Sequence, residues 1–249
     1  MGEVIAVISG KGGTGKTSTC AGVAIALAQK GERVLCIDCD VGLRNLDISL
    51  GMSEVAALSF QEVCRGSYGL SLAAVHPHYP TLHFLTAPLN CLPGEIDADA
   101  FAEMIRQARR DYDFVFLDAP AGTDWMFRLA SCNADRCVLV TGSDPASIRD
   151  AGRTGQLLEL MGKTNVRLIV NRIQPKMVAA MALTVDDVMD QAGLPLLGIV
   201  PEDPNVTFAA AFGKNAALYA KKSAAVAAYD RIAARIQGMP VSIPIRTFR

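Results

Sequence analysis

Near the amino terminus, Gly10-Lys11-Gly12-Gly13-Thr14-Gly15-Lys16-Thr17 has the types and spacing of a phosphate cradle, G-x-x-x-x-G-K-[ST]. Glycines let a backbone curl so that successive N–H groups face phosphate oxygens, and a helix that follows adds the positive end of its dipole. Lys16 would then neutralise charge on the β- and γ-phosphates, and Thr17 would offer a hydroxyl to Mg²⁺. Three aspartates extend the chemistry. Asp38 closes an apolar run, Asp40 stands two residues on, and Asp118 closes FVFLD. Carboxyl ends of strands are where open α/β sheets bind ligands, and three carboxylates near one phosphate site imply a cation. An aspartate after a strand is by itself ordinary turn or cap chemistry, so the argument rests on the conjunction with the cradle.

Positioning such groups requires strands that end where the acids begin. Apolar runs at Val4–Ser9, Arg33–Asp38, Leu82–Leu85, Phe114–Asp118, Cys137–Thr141, Arg167–Asn171 and Leu196–Val200 read as strands. Most are continuously apolar, as strands buried on both faces must be. Helical spacing fills the gaps. Cys20, Val23, Ala24, Leu27 and Ala28 form one stripe that Gly31 stops. Phe101, Met104, Ile105 and Ala108 form a second, capped by Asp97 or Asp99, and Ala225, Ala228, Tyr229, Ile232 and Ile236 a third. The alternation predicts an α/β fold with a mostly parallel twisted sheet of about 7–8 strands and helices on both faces.

Composition bounds the function classes. With 249 residues, 51% hydrophobic and 20% charged, the chain has material for a large core and too little charge for disorder. Lys+Arg 24 against Asp+Glu 25 leaves a net charge of -1, so no global field draws it to nucleic acid or anionic lipid. Seven scattered cysteines make a poor disulfide framework, and no run approaches the roughly 20 apolar residues of a membrane span. A reducing, cytoplasmic compartment is the expectation.

Lys11 is a second lysine in the cradle, and with it the run resembles KGGxGKT, the signature of the deviant Walker A P-loop ATPases of the MinD/ParA family. Gly42-Leu43-Arg44-Asn45-Leu46-Asp47 resembles the GLRNLD run of the MinD branch. Asp118-Ala119-Pro120-Ala121-Gly122 is similar to the family's DxPAG switch, and Ser147-Ile148-Arg149-Asp150-Ala151 to its S-x-R-D helix start. Asn171-Arg172 and Pro201-Glu202-Asp203 resemble its adenine-side loops, so the likeness covers residues 3 to 237.

The resemblance implies a SIMIBI-type P-loop fold, ATP/ADP with Mg²⁺, and ATP hydrolysis. Nucleotide contacts would come from Gly10, Lys11, Gly12, Gly13, Thr14, Gly15, Lys16, Thr17 and Ser18, with Asn171, Arg172, Pro201, Glu202 and Asp203 on the adenine side. Thr17, Asp38 and Asp118 would serve the metal, and Lys16 and Asp40 the chemistry, Asp40 by positioning the attacking water. Lys11 would reach the partner's nucleotide across an ATP-dependent homodimer. The implied output is placement of the division septum through division-inhibitor and topological-factor partners, with the helix at Ser147–Met161 as a docking surface. A cycle between the cytoplasm and the inner face of the membrane follows.

Thr14 stands where the family usually has Val, and Ser18 where it has a second Thr; both are small enough for a phosphate cradle. Residues 1–237 would form one ATPase domain and 238–249 a tail. That tail, GMPVSIPIRTFR, has basic and apolar residues suited to an anionic membrane, but Pro240 and Pro244 forbid a continuous helix. A ParA-like or flagellar-number positioning ATPase and an ATP-dependent ligase are the competing readings, and Lys11 with GLRNLD argues against both.

Other signals lead to ordinary structure. Cys36 and Cys39 lie three apart across a strand end and should face opposite sides as core cysteines. His76, His78 and His83 read as surface loop residues before a strand. Arg106, Arg109 and Arg110, and separately Lys214, Lys221 and Lys222, read as solvated faces, the second set with no aromatic residue in a stacking pattern beside it.

Overall fold

A computed structural model describes residues 1–92, 94–174 and 184–244. In chain order the strands are β1 (Glu3–Ser9), β2 (Val34–Asp38), β3 (Ala74–His76), β4 (Tyr79–Leu85), β5 (Phe114–Ala121), β6 (Arg136–Thr141), β7 (Val166–Ile173) and β8 (Leu196–Pro201). The helices are α1 (Lys16–Gln29), α2 (Leu46–Leu50), α3 (Phe60–Cys64), α4 (Ala98–Asp111), α5 (Trp125–Asn133), α6 (Pro145–Leu160), α7 (Val185–Ala192), α8 (Pro204–Ala211), α9 (Ala216–Tyr219) and α10 (Ala224–Ile236).

One sheet runs in the order β3-β4-β2-β5-β1-β6-β7-β8. Every pairing is parallel except β3 with β4. All seven predicted strands are present. In β1, Val4, Ala6 and Ile8 enter one core while Ile5 and Val7 enter the other, the two-residue period of a strand covered on both faces. The first core is completed by α3, α4, α5, α6 and α7, the second by α1, α2, α9 and α10. Cys36 and Cys39 fall in opposite cores, as their spacing predicts.

The first helix stripe is wider than its sequence pattern: Ala21, Ile25 and Ala26 are buried too, because α10, which also packs on β8, and α2 lie against α1. Gly22 shows how close that covering is, since a Cβ there would stand 2.2 Å from the Tyr229 ring. After the Lys30 cap, Gly31 takes φ +90° and ends the helix. Asp97, not Asp99, caps α4; its carboxylate accepts from the N–H groups of Asp99 and Ala100 at 2.8 and 2.9 Å.

Two sequence expectations are corrected. His83 is a half-buried residue of β4 and His76 a buried residue of β3, neither of them part of a surface loop. His76 Nδ1 accepts from the His78 N–H at 3.0 Å, so Nε2 carries the proton donated to the Leu50 carbonyl at 2.9 Å. The second concerns the lysines, because the Phe212 and Tyr219 rings do stack beside Lys214.

Residues 239–244 form no helix, in keeping with Pro240 and Pro244. They fold back on the body: Arg235 Nη1 donates to the Val241 carbonyl at 2.8 Å and Ile243 packs against the first core. The tail residues Ile245, Arg246, Phe248 and Arg249 lie outside the described residues. Among the described residues no helix is long and apolar enough to cross a membrane.

Candidate nucleotide site

The chain leaves β1 at Ser9 and curls through residues 10–15 into α1. Gly13 and Gly15 sit at φ +80° and +79°, the left-handed region that glycine enters without strain. At Gly10 a Cβ would come within 2.6 Å of Thr154 Oγ1 and 2.7 Å of the Asp150 carbonyl, so the loop starts flush against α6. Gly12 and Gly13 instead have nothing among the described residues within 4 Å of the position a Cβ would take. One side of the curl is thus fixed by protein, and the other side is free to receive a ligand.

β7 holds the curl in shape. Asn171 Nδ2 donates to the carbonyls of Thr14 at 2.8 Å and Gly15 at 3.4 Å. Arg172, itself at φ 56°, donates from Nη1 to the Gly13 carbonyl at 3.2 Å and holds Glu202 in a two-pronged ion pair at 2.8 and 3.3 Å. Asp203 caps α8 through the Asn205 N–H at 3.0 Å and accepts from the Ala225 N–H at 3.2 Å. Ser18, Asn171, Arg172, Pro201, Glu202 and Asp203 therefore line one cleft beside the cradle. In this form Asn171 and Asp203 spend their side chains on scaffold bonds.

At the floor, Lys16 Nζ lies 2.7 Å from Asp118 Oδ1, and both side chains are buried. Burial pulls the Lys16 pKa down, but the adjacent Asp118 carboxylate outweighs it and the net shift is upward. Lys16 Nζ also donates to Thr17 Oγ1 at 3.3 Å. Asp38 and Asp118 are register partners on β2 and β5, two acids side by side at neighbouring strand ends. Burial, reinforced by Asp118, pushes Asp38 up to about 7, although its oxygens accept from the N–H groups of Asp40 at 2.9 Å and Leu46 at 3.1 Å. Asp40 is half-buried and also raised, chiefly by burial, with Lys16 opposing.

Lys11 points away from this floor. Its Nζ is 3.7 Å from Asp144 Oδ1, both side chains being partly exposed. Asp144 caps α6 through the Ser147 N–H at 3.0 Å, and the Ser147 hydroxyl bond holds its carboxyl below the usual range. Asp144 and Thr154 are parts of the site that sequence reasoning missed. The Asp144-Pro145-Ala146-Ser147 run is a readable helix start, whereas nothing local marks Thr154 as a neighbour of Gly10.

These residues suit a magnesium nucleotide. Ser9 Oγ and Thr14 Oγ1 are buried at the cradle without a partner among the described residues, the exposed edge of the curl presents backbone, and a divalent cation would relieve the repulsion between Asp38 and Asp118.

Known proteins agree with this geometry. The family model for the CobQ/CobB/MinD/ParA nucleotide binding domain matches residues 5–216. The septum site-determining protein MinD of Synechocystis is 34% identical over 243 residues, covering 97% of this chain and 91% of that protein. Among solved structures, a chain of the MinC:MinD cell division protein complex of Aquifex aeolicus superposes with TM-score 0.89 at 34% identity, covering 97% of this chain and 98% of that one. The septum site-determining protein MinD of Pyrococcus horikoshii, complexed with Mg-ADP, gives TM-score 0.82 at 26% identity over 95% and 96% of the two chains.

Proposed function

Because the chain belongs to the CobQ/CobB/MinD/ParA family of nucleotide-binding proteins, we propose that it is a MinD-type ATPase of cell division. In this reading it binds Mg-ATP, pairs with a second copy, hydrolyses the nucleotide and separates, and the cycle times its residence at the membrane. Residues 1–237 form the ATPase body and 238–249 an appended segment. The observation that carries the reading is the convergence of Lys16, Thr17, Asp38, Asp40 and Asp118 on one floor beneath an open glycine curl.

Each residue has a task that its position supports. The curl from Gly10 to Thr17 and Ser18 binds phosphate oxygens through backbone and hydroxyl groups. Lys16 exchanges Asp118 for a phosphate oxygen when nucleotide enters, which frees that carboxylate. Thr17, Asp38 and Asp118 would hold Mg²⁺, whose chemistry when bound is to neutralise phosphate charge. Asp40, next to this set and partly solvent-open, orients water. The cleft at Asn171, Arg172, Pro201, Glu202 and Asp203 takes the base. Lys11, tethered only loosely by Asp144, is free to reach a partner's site. Catalysis of this kind is positioning and electrostatic stabilisation, which a rigid sheet edge supplies.

The MinC complex of the Aquifex protein and the Mg-ADP complex of the Pyrococcus protein support a division-inhibitor partner and Mg-ADP as a bound state for this chain as well. A phosphate-release assay with Mg-ATP tests the catalytic part. Lys16→Ala should lower turnover at least about 100-fold, because the variant lacks the buried cation that meets the phosphates. Turnover within a few fold of the unaltered chain would remove Lys16 from the mechanism.

A further inference from the structure

α8 carries no charged residue, and of its eight residues only Ala209 is buried. A helix of that composition normally lies inside a protein. Phe208 on α8 and Phe212, the residue that caps its end, stand one turn apart and are 50% and 66% exposed. Tyr219, at the end of α9 and 37% exposed, stacks on Phe212 with ring centroids 5.7 Å apart and planes at 11°. The rings are therefore held together in water. Lys214 follows Phe212 closely, Lys221 and Lys222 follow Tyr219, and all three are exposed. From Pro204 to Tyr229 the chain contains no carboxylate, although the whole molecule is slightly acidic.

Exposed aromatic rings and exposed lysines on one stretch of chain that itself carries no carboxylate, with Asp230 as the acid that shares a cleft with Lys214, match the boundary of an anionic bilayer. Rings settle at headgroup depth while flexible ammonium groups reach lipid phosphates. A tail contact alone fits less well, because residues 239–244 are not helical and Ile243 is spent against the core. The patch is also joined to the nucleotide cleft: Asp203 caps α8, and its neighbour Glu202 holds Arg172 against the P-loop.

We propose that the α8–α9 face, with Phe208, Phe212, Tyr219, Lys214, Lys221 and Lys222, is a docking surface for an anionic lipid membrane. This rests on the membrane-cycling reading and says where the contact is made.

Sedimentation of the full chain with phosphatidylglycerol/phosphatidylcholine vesicles in Mg-ATP tests it, with phosphatidylcholine vesicles as the neutral comparison. Phe208→Ser with Phe212→Ser, and separately Lys221→Glu with Lys222→Glu, should each cut the bound-to-free ratio at least ten-fold while ATP turnover in solution stays unchanged. A tail variant, Ile245→Ser with Phe248→Ser, should keep most of the binding. If both patch variants bind normally and the tail variant does not, the proposal is overturned and the membrane reading stands. If the unaltered chain ignores anionic vesicles altogether, both are overturned. Retention on duplex DNA but not on vesicles, abolished by the same patch variants, would assign the face to nucleic acid and overturn the lipid proposal.

Discussion

Asp38 is the acid whose environment departs furthest from water among the three at the floor, and its behaviour follows from two neighbours. Burial and the Asp118 carboxylate raise it to about 7, so between its unfolded value near 3.8 and about 7 the folded chain holds a proton that the unfolded chain releases. The protonated form favours the fold. This group's stabilisation is therefore present at low pH and lost as pH rises toward 7. His76, lowered by burial, works in the opposite sense, gaining the fold stability as pH rises through the ordinary imidazole range. The expected outcome is that nucleotide-free melting temperature falls more steeply between pH 5 and 7.5 in the unaltered chain than in Asp38→Asn. Parallel profiles would contradict the assignment. Mg-nucleotide should flatten the difference, because a cation compensates both carboxylates. The acids and the cradle were legible in the sequence because phosphate and metal geometry demand those types at those spacings. The resting partners of Lys11 and Lys16 were not. Asp144 and Asp118 come from distant segments, and only the closed sheet brings them near.

Among the elements, β7 does work that its sequence barely announces. Asn171-Arg172 is ordinary strand-to-loop punctuation, yet its two side chains accept the task of holding three successive carbonyls, Gly13, Thr14 and Gly15. A Cβ on Gly15 would stand 2.2 Å from Asn171 Nδ2, which couples the tightness of the curl to that amide. Replacing Asn171 by Ala removes the buried bond to Thr14 and should cost about 1–2 kcal/mol of stability. It should also weaken ADP affinity several-fold by loosening the curl, measurable by titration calorimetry. Unchanged affinity with lowered stability would confine Asn171 to scaffolding. The parallel strands were readable as apolar runs because both their faces are covered. β3 escaped notice for the converse reason: three residues at the edge of the sheet, one of them histidine and one exposed, leave no pattern. The stacked rings at the ends of α8 and α9 escaped notice too, since six residues lie between Phe212 and Tyr219 and a turn at Gly213 closes the gap.

At the scale of the whole molecule, the strand order explains why the site is where it is. β1 lies between β5 and β6, and the chain builds outward from it in both directions, so the crevice at its carboxyl end is the place where helices diverge. The cradle sits there, and the acids of β2 and β5 stand beside it on the same edge. This edge leaves the glycine curl and Lys11 at the surface, where a second copy would complete the site. In the proposed cycle nucleotide decides association, since ATP held more tightly by a pair than by single chains shifts the equilibrium toward the pair by mass action. The sequence resemblance made this arrangement expected through GLRNLD and Lys11. Nothing in composition or periodicity pointed to pairing.

Molar mass by light scattering, on Asp40→Ala in Mg-ATP and in Mg-ADP, tests the central claim most directly. The variant should keep nucleotide binding but lose water positioning, so the paired state persists. Twice the chain mass in Mg-ATP and the single-chain mass in Mg-ADP is the predicted result. The same mass in both nucleotides, at concentrations that saturate the site, would contradict an ATP-driven pairing cycle.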